Sequence, residues 1–458
     1  MKNTIKTSLS IITAIFLLSC SGNMELPDNN SGTNAGINNN PNKFSRITPD
    51  WTFSELELQT PLDAFSSKDG RIYIADSAAH SIRVIRPSGE VESGIYDVLK
   101  DLDISPTSVC LDARFNVYYT DDKDIIYFWP QFVATIGIEG IITERDYKVG
   151  GDTLRMTPLE GLSDNYSPIP GTELVDTSQK AAIDSMMNPR VFYDPSSELN
   201  KKGLIDPVSK EVLIAGDPIY AAQNKSYVAL APADRGNMAI YAADAINDYI
   251  LKIKLVPTVL VRLKNGQNVW QYIGMLDKSD VSDGFIAKPG TGSGTVSKPI
   301  SMTSDNGGNV YYTQTGEYFS VHKLLSPSYS TAFLVGIDDI MELGEYGYAR
   351  DIAVSTDNSI FVLDTLDRDV KLYSPQGDFI KSIVVREEWM KISDSSYVGD
   401  SLVVKDTLVL QQYPDLLLNP MALTFYNEVL YTFDNGNGKV LRFTKVDDVV
   451  IGDPDRED

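Results

Sequence analysis

The chain has 458 residues, with 40 Lys and Arg against 63 Asp and Glu, a formal net charge of -23. That balance excludes a nucleic-acid grip, which needs a basic stripe to displace counterions, and a polybasic hold on anionic lipid. The two Cys and two His lie far apart with no C-x-x-C, which excludes the usual zinc-motif spacing and c-type haem attachment, and leaves only His80 and His322 for a His-dependent triad.

The first element is a leader. Lys2 and Lys6 precede an apolar run from Leu9 to Leu18, too short for the ~20 residues of a membrane span and right for a secretory signal. Leu17-Leu18-Ser19-Cys20 resembles the bacterial lipobox, in which a small residue precedes a Cys that becomes lipid-modified after cleavage. The resemblance implies a signal peptide over 1–19 and lipidation (palmitate) at Cys20. It also implies an outer-membrane lipoprotein, because Ser21 rather than Asp follows Cys20; the periplasmic face and the cell surface both stay open. Residues 20–43 read as a disordered tether, since their Asn, Gly, Ser and Pro cannot bury enough apolar area to offset ordering entropy. This Asn-rich tether resembles those of Bacteroidota lipoproteins. Cys110 lies in the apolar run Ser108-Val109-Cys110-Leu111 and reads as a small buried hydrophobe.

From 44 to 458 the dominant signal is an internal repeat. Pro61 leads through Ile72-Tyr73-Ile74-Ala75 to Asp76, followed by the strand-like Ser81-Ile82-Arg83-Val84-Ile85 and the turn Pro87-Ser88-Gly89. The same order recurs from Pro106 to Asp121, Pro299 to Gln314, Ala349 to Asp364 and Pro420 to Asp434, and a sixth copy ends at Asp244. The interval from leading residue to terminal acid or amide is 15 residues in four of the clear copies and 14 in that ending at Asp434. Two apolar-alternating strands around a turn fit each unit.

Asp76-Ser77-Ala78-Ala79-His80-Ser81-Ile82-Arg83-Val84 resembles the NHL repeat, departing where Ala79 stands for the usual Asn; Asn247 and Asn437 keep an Asn three residues after the acid. The resemblance covers about 55–445 and implies an all-β protein, a six-bladed β-propeller of four-stranded sheets around a channel. The 123 residues from Asp121 to Asp244 leave room for a degenerate seventh blade as the alternative. Insertions are expected over about 139–225, 264–297 and 386–418. The first and third contain Val149-Gly150-Gly151-Asp152-Thr153-Leu154 and Val398-Gly399-Asp400-Ser401-Leu402. These read as hairpins, either related elaborations of a fourth strand or two unrelated turns. The second ends in Pro289-Gly290-Thr291-Gly292-Ser293-Gly294, expected as a flexible loop; without a Lys and a following helix it is no phosphate-binding loop. Gln179 to Met187 is the one stretch expected to be helical. The last blade lacks a fourth strand, and the residues from Ser45 to Phe53 are expected to supply it, in competition with Val449-Val450-Ile451.

No catalytic constellation emerges. Asp76, Asp121, Asp244, Asp364 and Asp434 end equivalent strands and are expected to accept backbone N–H bonds in the following turns; the alternative is an acidic ring holding a cation at a channel mouth. Asp277, Asp280 and Asp283 are spaced three apart, unlike a calcium loop. His80 is expected to have a packing or turn role and His322 to face either core or solvent within its strand, neither to react. Trp129, Tyr166, Trp270 and Trp389 are expected either to form a binding surface or to cap blade faces. The chain therefore reads as a lipid-anchored binding or scaffold propeller with a protein, peptide or glycan partner, no nucleic acid, no metal site and no cofactor. The alternative is a metal-assisted hydrolase or lyase, of the kind known among gluconolactonase-like propellers, acting at the channel mouth.

Overall fold

A computed structural model describes residues 43–446 except 132, 136–144, 150–151, 157–176, 206–209, 234–238, 263–267, 317, 385–386, 399–400 and 413–415. Six antiparallel sheets succeed one another along the chain as six blades. Their inner strands are Pro61–Ser66, Ser108–Leu111, Tyr227–Pro232, Pro299–Ser304, Ala349–Val354 and Pro420–Tyr426. Each inner strand lies beside the next, and the last lies beside the first. The protein is a six-bladed β-propeller.

The second strand of each blade explains why the repeat is legible. Ile72–Asp76, Asn116–Thr120, Ala239–Asp244, Val310–Gln314, Ile360–Asp364 and Val429–Asp434 are buried almost throughout. Successive side chains of a strand point to opposite faces, and here both faces meet a neighbouring blade. Tyr73 and Ala75 enter the seam between blades 1 and 2, while Ile72 and Ile74 enter that between blades 6 and 1. Ile360 and Val362 face blade 4, and Phe361 and Leu363 face blade 6. The core is thus six separate seams, one per blade interface.

The constant interval in the repeat is a register. Pro61 pairs with Asp76, Pro299 with Gln314, Ala349 with Asp364 and Pro420 with Asp434. Just after each of these pairs the register slips by one residue on the inner strand.

Ring closure follows the N-terminal alternative. Lys43–Thr52 is the outermost strand of blade 6, beside Lys439–Val446. Phe53 donates its N–H to the Gly438 carbonyl (2.8 Å), Arg442 donates to Pro49 O (2.6 Å), and the Arg442 guanidinium lies 4.1 Å from the Trp51 ring centroid. Gly89 permits this docking: at φ +87° its backbone suits glycine, and a Cβ there would stand 2.7 Å from Trp51 Cε2. Val449-Val450-Ile451 lies outside the described residues.

The insertions differ in part from expectation. Arg145–Val149 with Asp152–Met156, and Glu387–Val398 with Ser401–Gln412, do form hairpins, but as separate two-stranded sheets. The fourth strands of blades 2 and 5 are Arg190–Tyr193 and Phe379–Ser382 instead. Among the described residues the long gap holds no seventh blade; besides strands of blades 2 and 3 and the first hairpin it contains a small sheet, Gly203–Ile205 with Val212–Ala215. The glycine run at 290–294 is pinned to blade 4: Ser293 donates to Phe333 O (2.8 Å), and Gly294 N–H donates to His322 Nδ1 (3.1 Å). Its small residues allow close backbone approach, which composition alone does not separate from looseness. Thr177–Met186 is helical, as expected; Glu198–Lys202 and Pro218–Ala221 are further short helices, capped by Ser197 and Asp217.

Candidate functional site

The strand-end acids are structural. Asp76 accepts from the backbone N–H of Gln59 (2.6 Å), Thr60 (2.8 Å) and Ala79 (3.2 Å). Asp364 accepts from Gly347, Tyr348, Leu366 and Asp367. Asp434 accepts from Leu418, Asn419 and Gly436, and from the Asn437 side chain. Asp244 accepts from Ser226, Ile246 and Asn247 and from the Tyr220 hydroxyl. Each carboxylate ties the segment entering its blade to the turn leaving the second strand. Gln314 repeats the task with its amide oxygen, accepting from Ser297 N–H (2.9 Å). Asp121 departs from the pattern: it pairs with Lys123 (2.5 Å), and its Oδ1 is buried without a partner.

The other singled-out residues also have structural partners. Cys110 is buried, and burial pushes its thiol well above the ordinary value. His80 takes φ +49° in the turn, with Nδ1 3.2 Å from Ile104 O. His322 is buried and stacked on Tyr312 at 4.9 Å. Since Nδ1 accepts from Gly294, Nε2 carries the proton and donates to Phe319 O (3.1 Å); burial lowers its pKa to about 4. Lys252 lies 3.5 Å from Asp277 and 2.5 Å from Asp280, so lysine occupies the place a cation would take. Trp129 fills the seam between blades 1 and 2 and donates Nε1–H to Met187 O (2.9 Å). Tyr166 and the side chains of Trp270 and Trp389 lie outside the described residues. Among the described residues no group of three or more His, Cys, Asp or Glu is placed to hold a metal ion.

What the sequence does not single out is the set of residues that lines the channel. At the hairpin-turn end of the inner strands a wide chamber of about 450 Å³ takes its walls from all six blades. Ser66, Thr303, Ser304, Ser355, Thr424 and Asn427 give it hydroxyl and amide groups, and Phe65, Phe115, Phe425 and Tyr426 give it rings. The Tyr426 ring rests over Gly70, where φ is +89° and a Cβ would meet it at 3.0 Å. At the opposite end a narrower chamber of about 290 Å³ is lined by Thr107, Ser108, Ser301, Tyr348 and Arg350.

Asp63 and Asp351 line both chambers and mark the waist between them. They occupy the same register position, which in the other blades is Ser108, Ala229, Ser301 and Ala422. Asp63 accepts from the Ser108 hydroxyl (2.6 Å), Val109 N–H (2.9 Å) and Ala64 N–H (2.8 Å). Asp351 accepts from the Ser301 hydroxyl, Ile352 N–H (2.8 Å) and Leu423 N–H (2.7 Å). Ser108 Oγ in turn accepts Leu230 N–H (3.1 Å). The waist is therefore a girdle of bonds across blade seams. Burial raises both carboxyl pKa values. For Asp351, burial and then the charge of Asp63 push it up to about 7, against the hydrogen bonds it accepts. The sequence held one cue: Asp63 and Asp351 stand two residues after the leading Pro61 and Ala349, where the copies led by Pro106, Pro299 and Pro420 have Ser or Ala.

No model of a known protein family matches the chain, and no curated protein matches it. Among solved structures, virginiamycin B lyase from Staphylococcus aureus is similar at 11% identity and a TM-score of 0.38, over 88% of this chain and 100% of that one. An auxiliary nutrient binding protein from Bacteroides thetaiotaomicron is similar at 9% identity and a TM-score of 0.40, over 84% and 69%. A gluconolactonase from Xanthomonas campestris is similar at 8% identity and a TM-score of 0.39, over 87% and 99%.

Proposed function

We propose that the chain is an envelope lipoprotein with NHL-like blades, whose propeller binds a glycan in the wide chamber without transforming it. The carrying observation is the chamber's make-up. Its volume is within the ~300–1,000 Å³ of small-molecule sites. Hydroxyl and amide groups from several blades line it beside the half-buried rings of Phe65, Phe425 and Tyr426. A pyranose presents hydroxyls at its edge and C–H groups on its faces, and the negative face of an aromatic ring suits the latter.

Calorimetric titration with neutral mono- and oligosaccharides tests the reading. Saturable binding is expected, and Tyr426→Ala or Asn427→Ala should weaken it about 10-fold or more. Binding of envelope peptides with no response to any sugar would replace this reading with the protein-partner one.

The hydrolase or lyase alternative keeps one supporting observation. Asp351, near 7, would exchange a proton readily at neutral pH at the floor of the same chamber. Turnover of a bound sugar that disappears in Asp351→Asn while affinity persists would favour it.

The anchor rests on Leu17-Leu18-Ser19-Cys20. Several acyl chains hold a protein firmly, at ~0.8 kcal/mol per buried CH₂. Wild-type protein is expected in the detergent phase and in outer-membrane fractions, and Cys20→Ala in the aqueous phase. A Cys20→Ala protein that still partitions with detergent rejects lipidation. Protease shaving of intact cells separates surface display from the periplasmic face.

A further inference from the structure

The narrow chamber carries a site of its own. Arg350 leads out of blade 5 and reaches past blade 6 to blade 1, where Nη2 makes a long contact of 3.5 Å with the Leu62 carbonyl. Its Nε is buried and has no hydrogen-bond partner. Among the described residues Arg350 has no carboxylate within ion-pairing distance, in contrast to Lys252, Lys371 and Arg71. Asp63 feels its charge, yet both Asp63 oxygens already accept from Ser108, Val109 and Ala64. The oxygens of Asp351 are engaged in the same way.

A guanidinium offers five donors in a planar fork that matches a carboxylate. A buried donor left unpaired costs ~1–3 kcal/mol, and Arg350 lines the chamber, so an acceptor that reaches its guanidinium is favoured. The hydroxyls of Thr107 and Tyr348 line that chamber and suit the rest of a polar anion, while Ser108 and Ser301 give their protons to the waist carboxylates. Asp122 and the waist pair oppose an anion by charge. Burial holds the waist pair toward its protonated forms, which lessens that opposition.

We propose that the Arg350 chamber binds a small carboxylate-bearing ligand, with the Arg350 fork on the carboxylate and the chamber hydroxyls on the remainder. The site lies across the waist from the glycan chamber and does not depend on it.

The test follows the thermal unfolding of the mature chain at constant ionic strength, with sodium acetate, succinate or glucuronate against sodium chloride. A ligand that binds the folded state raises Tm by mass action. At least one carboxylate is expected to raise wild-type Tm saturably by a few degrees, with no rise in Arg350→Gln. Arg350→Lys keeps the charge but loses the fork, and is expected to lose most of the rise. It also provides a variant if Arg350→Gln folds poorly. No rise in wild type with any of the three, or an equal rise in the variants, overturns the proposal. Glucose in the same series reads the wide chamber, so failure of one site is distinguishable from failure of the other.

Discussion

Deletion of residues 44–54 is expected to lower the unfolding temperature by on the order of 10 °C, whereas deletion of 447–458 should leave it almost unchanged. The first deletion opens the ring. It removes the outer strand of blade 6, and with it Phe44, which meets Phe361 edge-on at 5.7 Å in the seam between blades 5 and 6. It also removes Phe53 from the seam between blades 6 and 1, and Trp51 from its stack on Tyr431. Truncating one buried Phe or Trp to Ala costs about 3–5 kcal/mol. For a propeller of this size each kcal/mol corresponds to roughly 1–2 °C. The second deletion leaves blade 6 with all four strands. Gly89→Ala is a point test of the same closure, expected to cost about 1–3 kcal/mol through its positive φ and its contact with Trp51. Differential scanning calorimetry reads all three, and equal tolerance of the two deletions, or the reverse order, would falsify this closure.

The second large effect is expected at the waist. Asp351→Ala leaves the N–H groups of Ile352 and Leu423 and the Ser301 hydroxyl without their acceptor, and loosens blades 4, 5 and 6 together. With ~1–3 kcal/mol for each orphaned donor, the loss should be about 3–6 kcal/mol by urea unfolding. Asp351→Asn retains an acceptor oxygen and should cost less. It should also change the pH profile. An unfolded Asp ionises near pH ~3.9, while folded Asp351 is raised to about 7. Between those values the folded chain holds a proton that the unfolded chain has released, so this group's contribution falls as pH rises and levels off above 7. His322 acts in the opposite sense: held neutral down to about 4, it costs stability as pH falls from ~6.5. Subtracting the Asp351→Asn profile from wild type removes the His322 contribution. The difference should shrink by on the order of a few kcal/mol from pH 5 to pH 8. A flat difference would show that Asp351 is ionised throughout.

Blade number, strand-end acids and ring closure were all legible in the sequence, for one physical reason. A second strand buried on both faces reads as an apolar run ending in a group that accepts N–H bonds, a demand that five of the six blades repeat and that Asp121, paired with Lys123, does not. The channel was not legible in the same way. Inner strands face open space on one side, so Asp63 and Asp351 break a pattern that elsewhere reads Ser or Ala, and a search for recurrence passes over what does not recur. Arg350 was invisible for a related reason, since its significance lies in partners it does not have. The hairpins at 145–156 and 387–412 were visible as turns, but their separation from blades 2 and 5 was not. The strands that fill those edges, Arg190–Tyr193 and Phe379–Ser382, carry no repeat signature.

The closing strand also bears on when the molecule becomes itself. Among the described residues Lys43–Thr52 is the first strand to emerge, and its partner Lys439–Val446 is the last. A chain delivered N-terminus first must carry the opening strand unpaired while five blades assemble behind it. A contact closed across so long a sequence interval comes late, because the whole loop has to be ordered first. Until then the edge at 439–446 is open to any other extended segment, including the same opening strand of a second chain. Exchange of that strand between molecules is therefore the misassembly to look for at high concentration. Rejoining the ends and cutting the chain between blades should accelerate refolding without altering a single seam.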